Sequence, residues 1–311
     1  ADNGRIIGLE ALLRWQHPEL GVIGPDEFIP IAEEMGLIVE IGQWVIEQAA
    51  SYNRSLQQRG LAEVIMAVNL SSLQFQRTGF VEQLEATLNQ AQLEPKWFEL
   101  ELTESLLLEN IEQVIDKLKH LKQLGISIAI DDFGTGYSSL NYLKRLPIDK
   151  LKIDKSFIRE LVTDQKDAAI TRAIIAMGHQ LGLKVIAEGV ETLSQANLLN
   201  KHGCDELQGY FYAKPLPKDR LESFLEQYSP IYDLETDARL PSLLLVDDEE
   251  NILHSLKRVL RKEPFNIFTC NSAAEAFNLL ALHNIQVIVS DQRMPEMSGT
   301  DFFKEVKEMY P

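Results

Sequence analysis

Along the first two thirds of the chain, short apolar runs rich in β-branched residues alternate with longer stretches whose apolar positions recur every three or four residues. The runs "RIIGLEALLRW" (5–15), "VIMAVNLS" (64–71), "FELELTE" (98–104), "ISIAIDD" (126–132), "KLKID" (150–154), "KVIAEGV" (184–190) and "ELQGYF" (206–211) predict strands. Stretches such as "TGFVEQLEATLNQAQ" and "ENIEQVIDKLKHLKQLG", punctuated by Gly or Pro, predict amphipathic helices between them. Repeated strand–helix units imply a mostly parallel sheet, and the unbroken apolar character of "ISIAI" and "KVIA" fits strands covered on both faces.

Each strand ends in polar residues: Glu10, Asn69, Glu101, Asp131 with Asp132, Lys152, Glu188 and Gln208. A closed barrel would gather these ends on one face, where barrel active sites lie, whereas an open sheet would spread them along an edge. The pattern therefore predicts an α/β barrel over 1–227. Seven strands are visible, so the eighth is expected before residue 1, and the chain, which lacks an initiating Met, reads as a fragment. The stretch "YSPIYDLETDARLP", at 228–241, loses apolar periodicity and reads as a linker. A second α/β unit follows at 242–311, with strands "SLLLV", "NIFTC" and "IQVIVSD" alternating with helices "NILHSLKRVLRK" and "SAAEAFNLLALH".

Composition narrows the function classes. The chain has 311 residues, 45% of them hydrophobic, and a formal net charge of −17, which disfavours broad binding to DNA, RNA or anionic membrane. No apolar run approaches the roughly 18 residues of a membrane span. Cys204 and Cys270 have no partner at metal-ligand spacing, so neither a disulfide framework nor a zinc site is indicated, and a reducing, cytoplasmic setting is expected.

Taken singly, each strand-end acid also has a structural reading, as a surface residue or the partner of a nearby lysine. Together, Glu10, Asn69, Glu101, Asp131, Asp132 and Glu188 would converge on one mouth with Lys152 as the central cation. So many carboxylates cannot stay ionised side by side without raised pKa values or bound cations. All-oxygen ligands point to Mg²⁺ or Mn²⁺, and two such ions roughly 3.5–4 Å apart suit displacement at a phosphoester. His17 and His179 read as helix or loop residues and not as ligands.

The segments "EALLRW", "NLS", "ELTES", "IDDFGTGYSSL", "LKIDKSF", "AEGVET" and "QGYFYAKPLP", in this order, closely resemble the EAL family of cyclic-di-GMP phosphodiesterases over about residues 4–227. The resemblance implies a modified TIM (β/α)8 barrel that hydrolyses cyclic-di-GMP to linear pGpG with two Mg²⁺ or Mn²⁺ ions. It implies metal ligands at Glu10, Asn69, Glu101, Asp131, Asp132 and Glu188, with Glu10 and Glu188 catalytic. Lys152 corresponds to the lysine that orients the attacking water, and Arg14, Gln208, Asp154 and Glu191 correspond to positions near the substrate. The loop after Asp132, with Gly134 and Gly136, resembles one that couples the site to a homodimer interface, anchored by Glu104. A catalytically inactive cyclic-di-GMP receptor is the alternative within the same family, though none of the expected ligands is missing.

In the second unit, Asp247 and Asp248 after "SLLLV" and Asp291 in "DQRMPEMSG" resemble the acidic pocket of a response-regulator receiver. The resemblance implies part of a doubly wound, flavodoxin-like fold. The acid pair would bind Mg²⁺ in a complete receiver, and Asp291 would accept a phosphoryl group from a histidine kinase. Pro295 and Gly299 would shape the loop after it.

Overall fold

The computed structural model describes residues 4–104, 106, 111–134, 143–228, 241–260, 263, 265–283 and 285–309. Residues 229–240 of the predicted linker and the part of the glycine loop at 135–142, with Gly136, lie outside the described residues. Strand β1 (Gly8–Ala11) leads into a small antiparallel pair, β2 (Trp15–His17) and β3 (Gly21–Ile23), and the helices α1 (Pro25–Glu34) and α2 (Ile38–Gln58). Next come β4 (Ile65–Leu70), α3 (Ser72–Gln76), α4 (Phe80–Ala91), β5 (Phe98–Thr103), α5 (Ile111–Leu124) and β6 (Ser127–Phe133). The barrel unit ends with β7 (Lys150–Ile153), α6 (Lys155–Arg159), α7 (Gln165–Gln180), β8 (Lys184–Ala187), α8 (Leu193–Lys201), β9 (Glu206–Leu207) and α9 (Lys218–Gln227). The predicted strand at 5–15 is thus split between β1 and β2, and β8 and β9 are shorter than their apolar runs. His17 lies in a short strand, where its ring nitrogen accepts from the backbone N–H groups of Glu19 and Leu20.

The seven parallel strands form one curled sheet in the order β1-β4-β5-β6-β7-β8-β9. Among the described residues no backbone ladder joins β1 to β9. A cavity of about 330 Å³ occupies that seam, lined by the stretches 4–10 and 205–210. Period-two alternation explains why charged strands are buried. In β7, Leu151 and Ile153 face the helices while Lys150 and Lys152 face the interior, and in β5 Glu99 and Glu101 do the same. The interior consequently holds ion pairs in layers. In the lower layer Lys150 Nζ lies 2.7 Å from Glu206 and 3.1 Å from Glu99, with Lys184 3.5 Å from Glu206.

Helix α7 approaches the sheet closely because Gly178 faces Val185, where a Cβ would come within 2.5 Å of the valine methyl. A capping box of Thr192 and Gln195 starts α8. The second unit comprises β10 (Ser242–Val246), α10 (Glu250–Leu260), β11 (Asn266–Cys270), α11 (Ala273–Leu282), β12 (Val287–Ser290) and α12 (Gly299–Met309). Its parallel sheet has the order β11-β10-β12. Leu243 and Leu245 pack with Leu253 of α10 on one face, and Leu244 and Val246 lie in the core with Phe277 and Phe302 on the other, the doubly wound arrangement. Among the described residues no helix is long and apolar enough to cross a membrane.

Candidate active site

Adjacent residues in a regular strand point to opposite faces, so "DD" should not place two acids in one mouth. A bulge in β6 resolves this. Pairing with β7 runs Ile130↔Leu151 and then jumps to Phe133↔Ile153, leaving Asp131 and Asp132 opposite the single residue Lys152. Asp132 takes a left-handed φ of 54°, and its N–H donates to the Asp131 carboxylate at 2.9 Å. Its own carboxylate lies within electrostatic reach of Asp131, Asp154 and Lys152. Gly134, at φ 100°, completes the turn and donates its N–H to Glu104 at 3.3 Å. Glu104 is therefore tied to the end of β6 by one hydrogen bond.

The upper interior layer is centred on Lys152, which is 1% exposed. Its ammonium lies 2.5 Å from Glu188, 2.8 Å from Glu101 and 3.4 Å from Asp131. Burial opposes its charge, but the carboxylates of Glu101, Glu188, Glu10 and Asp131 outweigh that effect and hold its pKa well above the usual lysine value. Burial likewise pushes Glu101 well above the carboxylate range and Glu188 up to about 7, and burial together with Asp131 raises Asp132. Beside this layer, Asn69 and Gln208 each donate to a different oxygen of Glu10 at 2.5 Å. Gln208 thereby bridges the seam between β9 and β1.

The structure brings Glu10, Asn69, Glu101, Asp131, Asp132, Lys152, Glu188 and Gln208 together. Asp154 sits at the edge as the N-cap of α6, accepting from Ser156 N–H at 3.0 Å. Arg14 is exposed and donates to the Leu13 carbonyl at 2.8 Å, and Glu191 is exposed just before α8; neither bonds to the cluster among the described residues. In the second unit Asp247 and Asp291 end the adjacent strands β10 and β12, with Asp291 N–H donating to Val246 O at 2.8 Å, and Asp248 is exposed beside them.

Among the described residues, no three of the His, Cys, Asp and Glu side chains already close on a point as metal ligands would. Lys152 occupies the centre and draws Glu101, Asp131 and Glu188 onto itself. The donor set nevertheless suits a hard cation. It is all oxygen, and Glu101 Oε2 and Glu188 Oε1 are buried close to Lys152 without a properly aligned hydrogen bond. The layer that sequence reasoning missed is Lys150 with Glu99 and Glu206. Its signal was present, since Lys150 and Glu99 stand two residues before Lys152 and Glu101 on the same strand faces.

Residues 1–215 match the EAL domain and residues 243–311 match the response regulator receiver domain. The chain is 49% identical over 221 residues to the bifunctional diguanylate cyclase/cyclic di-GMP phosphodiesterase MucR of Pseudomonas aeruginosa, covering 71% of this chain and 32% of that protein. It is 46% identical over 226 residues to the cyclic di-GMP phosphodiesterase NbdA of the same organism, covering 73% of this chain and 29% of that protein. The chain therefore spans about a third of the length of these curated relatives. The solved P. aeruginosa MucR phosphodiesterase in complex with c-di-GMP superposes with a TM-score of 0.69 at 49% identity, covering 71% of this chain and 90% of that one. On the match over 1–215 and the shared barrel, the chain belongs to the EAL domain family and carries a receiver domain behind its barrel.

Proposed function

We propose that the barrel hydrolyses cyclic-di-GMP to linear pGpG. The observation that carries this reading is the gathering of Glu10, Asn69, Glu101, Asp131, Asp132 and Glu188 around Lys152 at the carboxyl ends of parallel strands. The relatives named as cyclic di-GMP phosphodiesterases support the same substrate. Those six residues would hold two Mg²⁺ or Mn²⁺ ions. Such ions supply charge stabilisation for the phosphoryl oxygens and a nucleophile at neutral pH.

The chain's own groups do the rest. Lys152, kept charged by its acidic neighbours, orients the water that attacks phosphorus. Asn69 and Gln208 fix both oxygens of Glu10 and so set the direction of its lone pairs. Arg14, swung from the Leu13 carbonyl, would reach nonbridging phosphate oxygens, with Asp154 and Glu191 at the substrate's edge. One P–O bond breaks, the departing ribose oxygen takes a proton, and the ring opens.

The surroundings extend the proposal. A homodimer would form near the segment after Asp132, Asp291 would accept a phosphoryl group from a histidine kinase with Asp247 and Asp248 holding Mg²⁺, and the protein would act in the cytoplasm. The test is incubation with cyclic-di-GMP and Mg²⁺ or Mn²⁺, followed by chromatography. Linear product that disappears with a chelator is expected; intact substrate at every metal concentration would refute hydrolysis. Lys152→Ala should lower kcat more than it raises KM.

A further inference from the structure

A helix packed on a barrel from one side buries a stripe, yet α8 is buried at six consecutive positions, 194–199. Its second face is covered by the receiver unit, with α11 against α8 and α12 against α7. The contact has a definite chemistry. The last carbonyls of a helix lack intrahelical donors and carry partial negative charge. Lys201 Nζ donates to the carbonyl of Leu280, in the last turn of α11, at 2.6 Å. Arg172 donates to the carbonyl of Glu308, and His202 Nε2 lies 3.2 Å from that of Met309, the final residues of α12. Gln165 adds a bond to the Glu308 side chain. The barrel thus caps the C-terminal ends of two receiver helices with three basic side chains. Burial pushes both Lys201 and His202 below their ordinary pKa values.

The helix α12 also has its other end on the candidate phosphoacceptor. Gly299 N–H donates to Gln292 O at 3.2 Å, Thr300 bonds the Gln292 side chain at 3.0 Å, and a Cβ on Gly299 would strike the Asp291 carbonyl at 2.2 Å. On the far side of the contact, α7 packs on β7 and β8 and comes close to the end of β6 through Ile174. A Cβ on Gly134 would lie 3.5 Å from Ile174 of α7 and 3.0 Å from Phe157. A line of neighbouring elements therefore runs from Asp291 along α12, through α7, to Gly134, two residues after Asp132.

We propose that the C-terminal ends of α11 and α12 form a docking interface on Arg172, Lys201 and His202, and that this docking restrains the end of β6 and so tunes the site. The docking stands on contacts alone, and its effect on turnover rests on the phosphodiesterase reading. Asn197 Oδ1, Asn200 Oδ1 and His202 Nδ1, on α8 and at its end, are buried without a partner among the described residues. Unpaired buried polar atoms of this kind offset part of what the docking gains.

The test uses the 311-residue chain carrying Arg172→Glu with Lys201→Glu, which sets carboxylates against carbonyl oxygens. Hydrogen–deuterium exchange is followed at 193–201 and 131–134, and pGpG formation is timed. Faster exchange in both segments and a change in turnover of about 5-fold or more are expected, the lower end of typical coupling between sites. The conservative pair Arg172→Lys with Lys201→Arg should behave as the parent. Unchanged protection of 193–201 would overturn the docking, and a rise there with 131–134 unchanged would overturn the coupling. A parent that makes no pGpG would defeat the phosphodiesterase reading instead, with both exchange measurements still deciding the interface. Should the double reversal disturb folding by circular dichroism, Arg172→Gln gives the same readouts at one site.

Discussion

Replacing Lys150 by Met should destabilise the barrel in a way that depends on pH. The ammonium is the counterion of Glu99 at 3.1 Å and of Glu206 at 2.7 Å, and all three side chains are buried. Met fills nearly the same volume, so little cavity cost is added. Glu206 keeps Lys184 at 3.5 Å, but no other ion pair to Glu99 exists among the described residues. Removing one partner of a buried pair costs about 3–5 kcal/mol. Protonation limits that cost, because neutralising a carboxylate of ordinary pKa near 4.3 at pH 7 takes about 1.4 kcal/mol per pH unit, or roughly 4 kcal/mol. At pH 5 the same step takes only about 1 kcal/mol.

The expected loss is therefore about 3–4 kcal/mol at pH 7, shrinking to about 1–2 kcal/mol at pH 5. Urea unfolding followed by tryptophan fluorescence measures it in the right unit, since Trp15, Trp44 and Trp97 all belong to the barrel. Adding Glu99→Gln to the variant should recover most of the loss at pH 7. A loss below about 1 kcal/mol at pH 7, or one equal at both pH values, would show that the layer is not held by charge pairing.

Three further outcomes bear on the site. Glu10→Ala and Asp131→Ala should each lower pGpG formation by at least ~10²-fold, the scale for losing stabilisation of developing charge, and full activity in either would remove the metal assignment. Glu104→Ala deletes the acceptor of the Gly134 N–H, so exchange at 131–134 should rise and turnover should fall while the circular dichroism spectrum is unchanged; equal turnover would leave Glu104 with a packing role only. In chelator, Glu188 has its folded pKa raised from 4.5 to about 7, so its contribution to stability is present below about pH 4.5 and is lost as pH rises to about 7. Glu188→Gln should then be the more stable protein at pH 7.5, by about 1–3 kcal/mol, and match the parent near pH 5, as read from unfolding midpoints; a parent that gains relative stability with pH would contradict the sign.

The sequence made the strand ends legible because alternation and burial act locally. Once "FELEL" and "KLKI" are read as strands covered by helices on one face, Glu101 and Lys152 can only point into the barrel. Three features were less accessible. The bulge in β6 depends on a two-against-one register with β7, a relation between segments, and without it one of Asp131 and Asp132 would face the helices. The shared role of Glu99, Lys150 and Glu206 needs three strands at one height, which sequence spacing does not specify. Nothing in the sequence singles out Arg172, Lys201 and His202, because a basic side chain set opposite a distant helix end carries no local signature.

These three features share a physical consequence. The lower layer of ion pairs joins β5, β7 and β9 directly beneath the layer that holds Glu101 and Lys152. The bulge then adds one acid to a ring that the strands alone would leave short. Among the described residues, the mouth departs from regular strand geometry at the end of β6, where a left-handed aspartate is followed two residues on by a left-handed glycine. That end lies near Phe157 of α6 and Ile174 of α7, so a shift of either helix bears there on a carboxylate outside the regular ladder. The docking proposed above would act at this end of β6, because the strands on either side of it are held by their ladders.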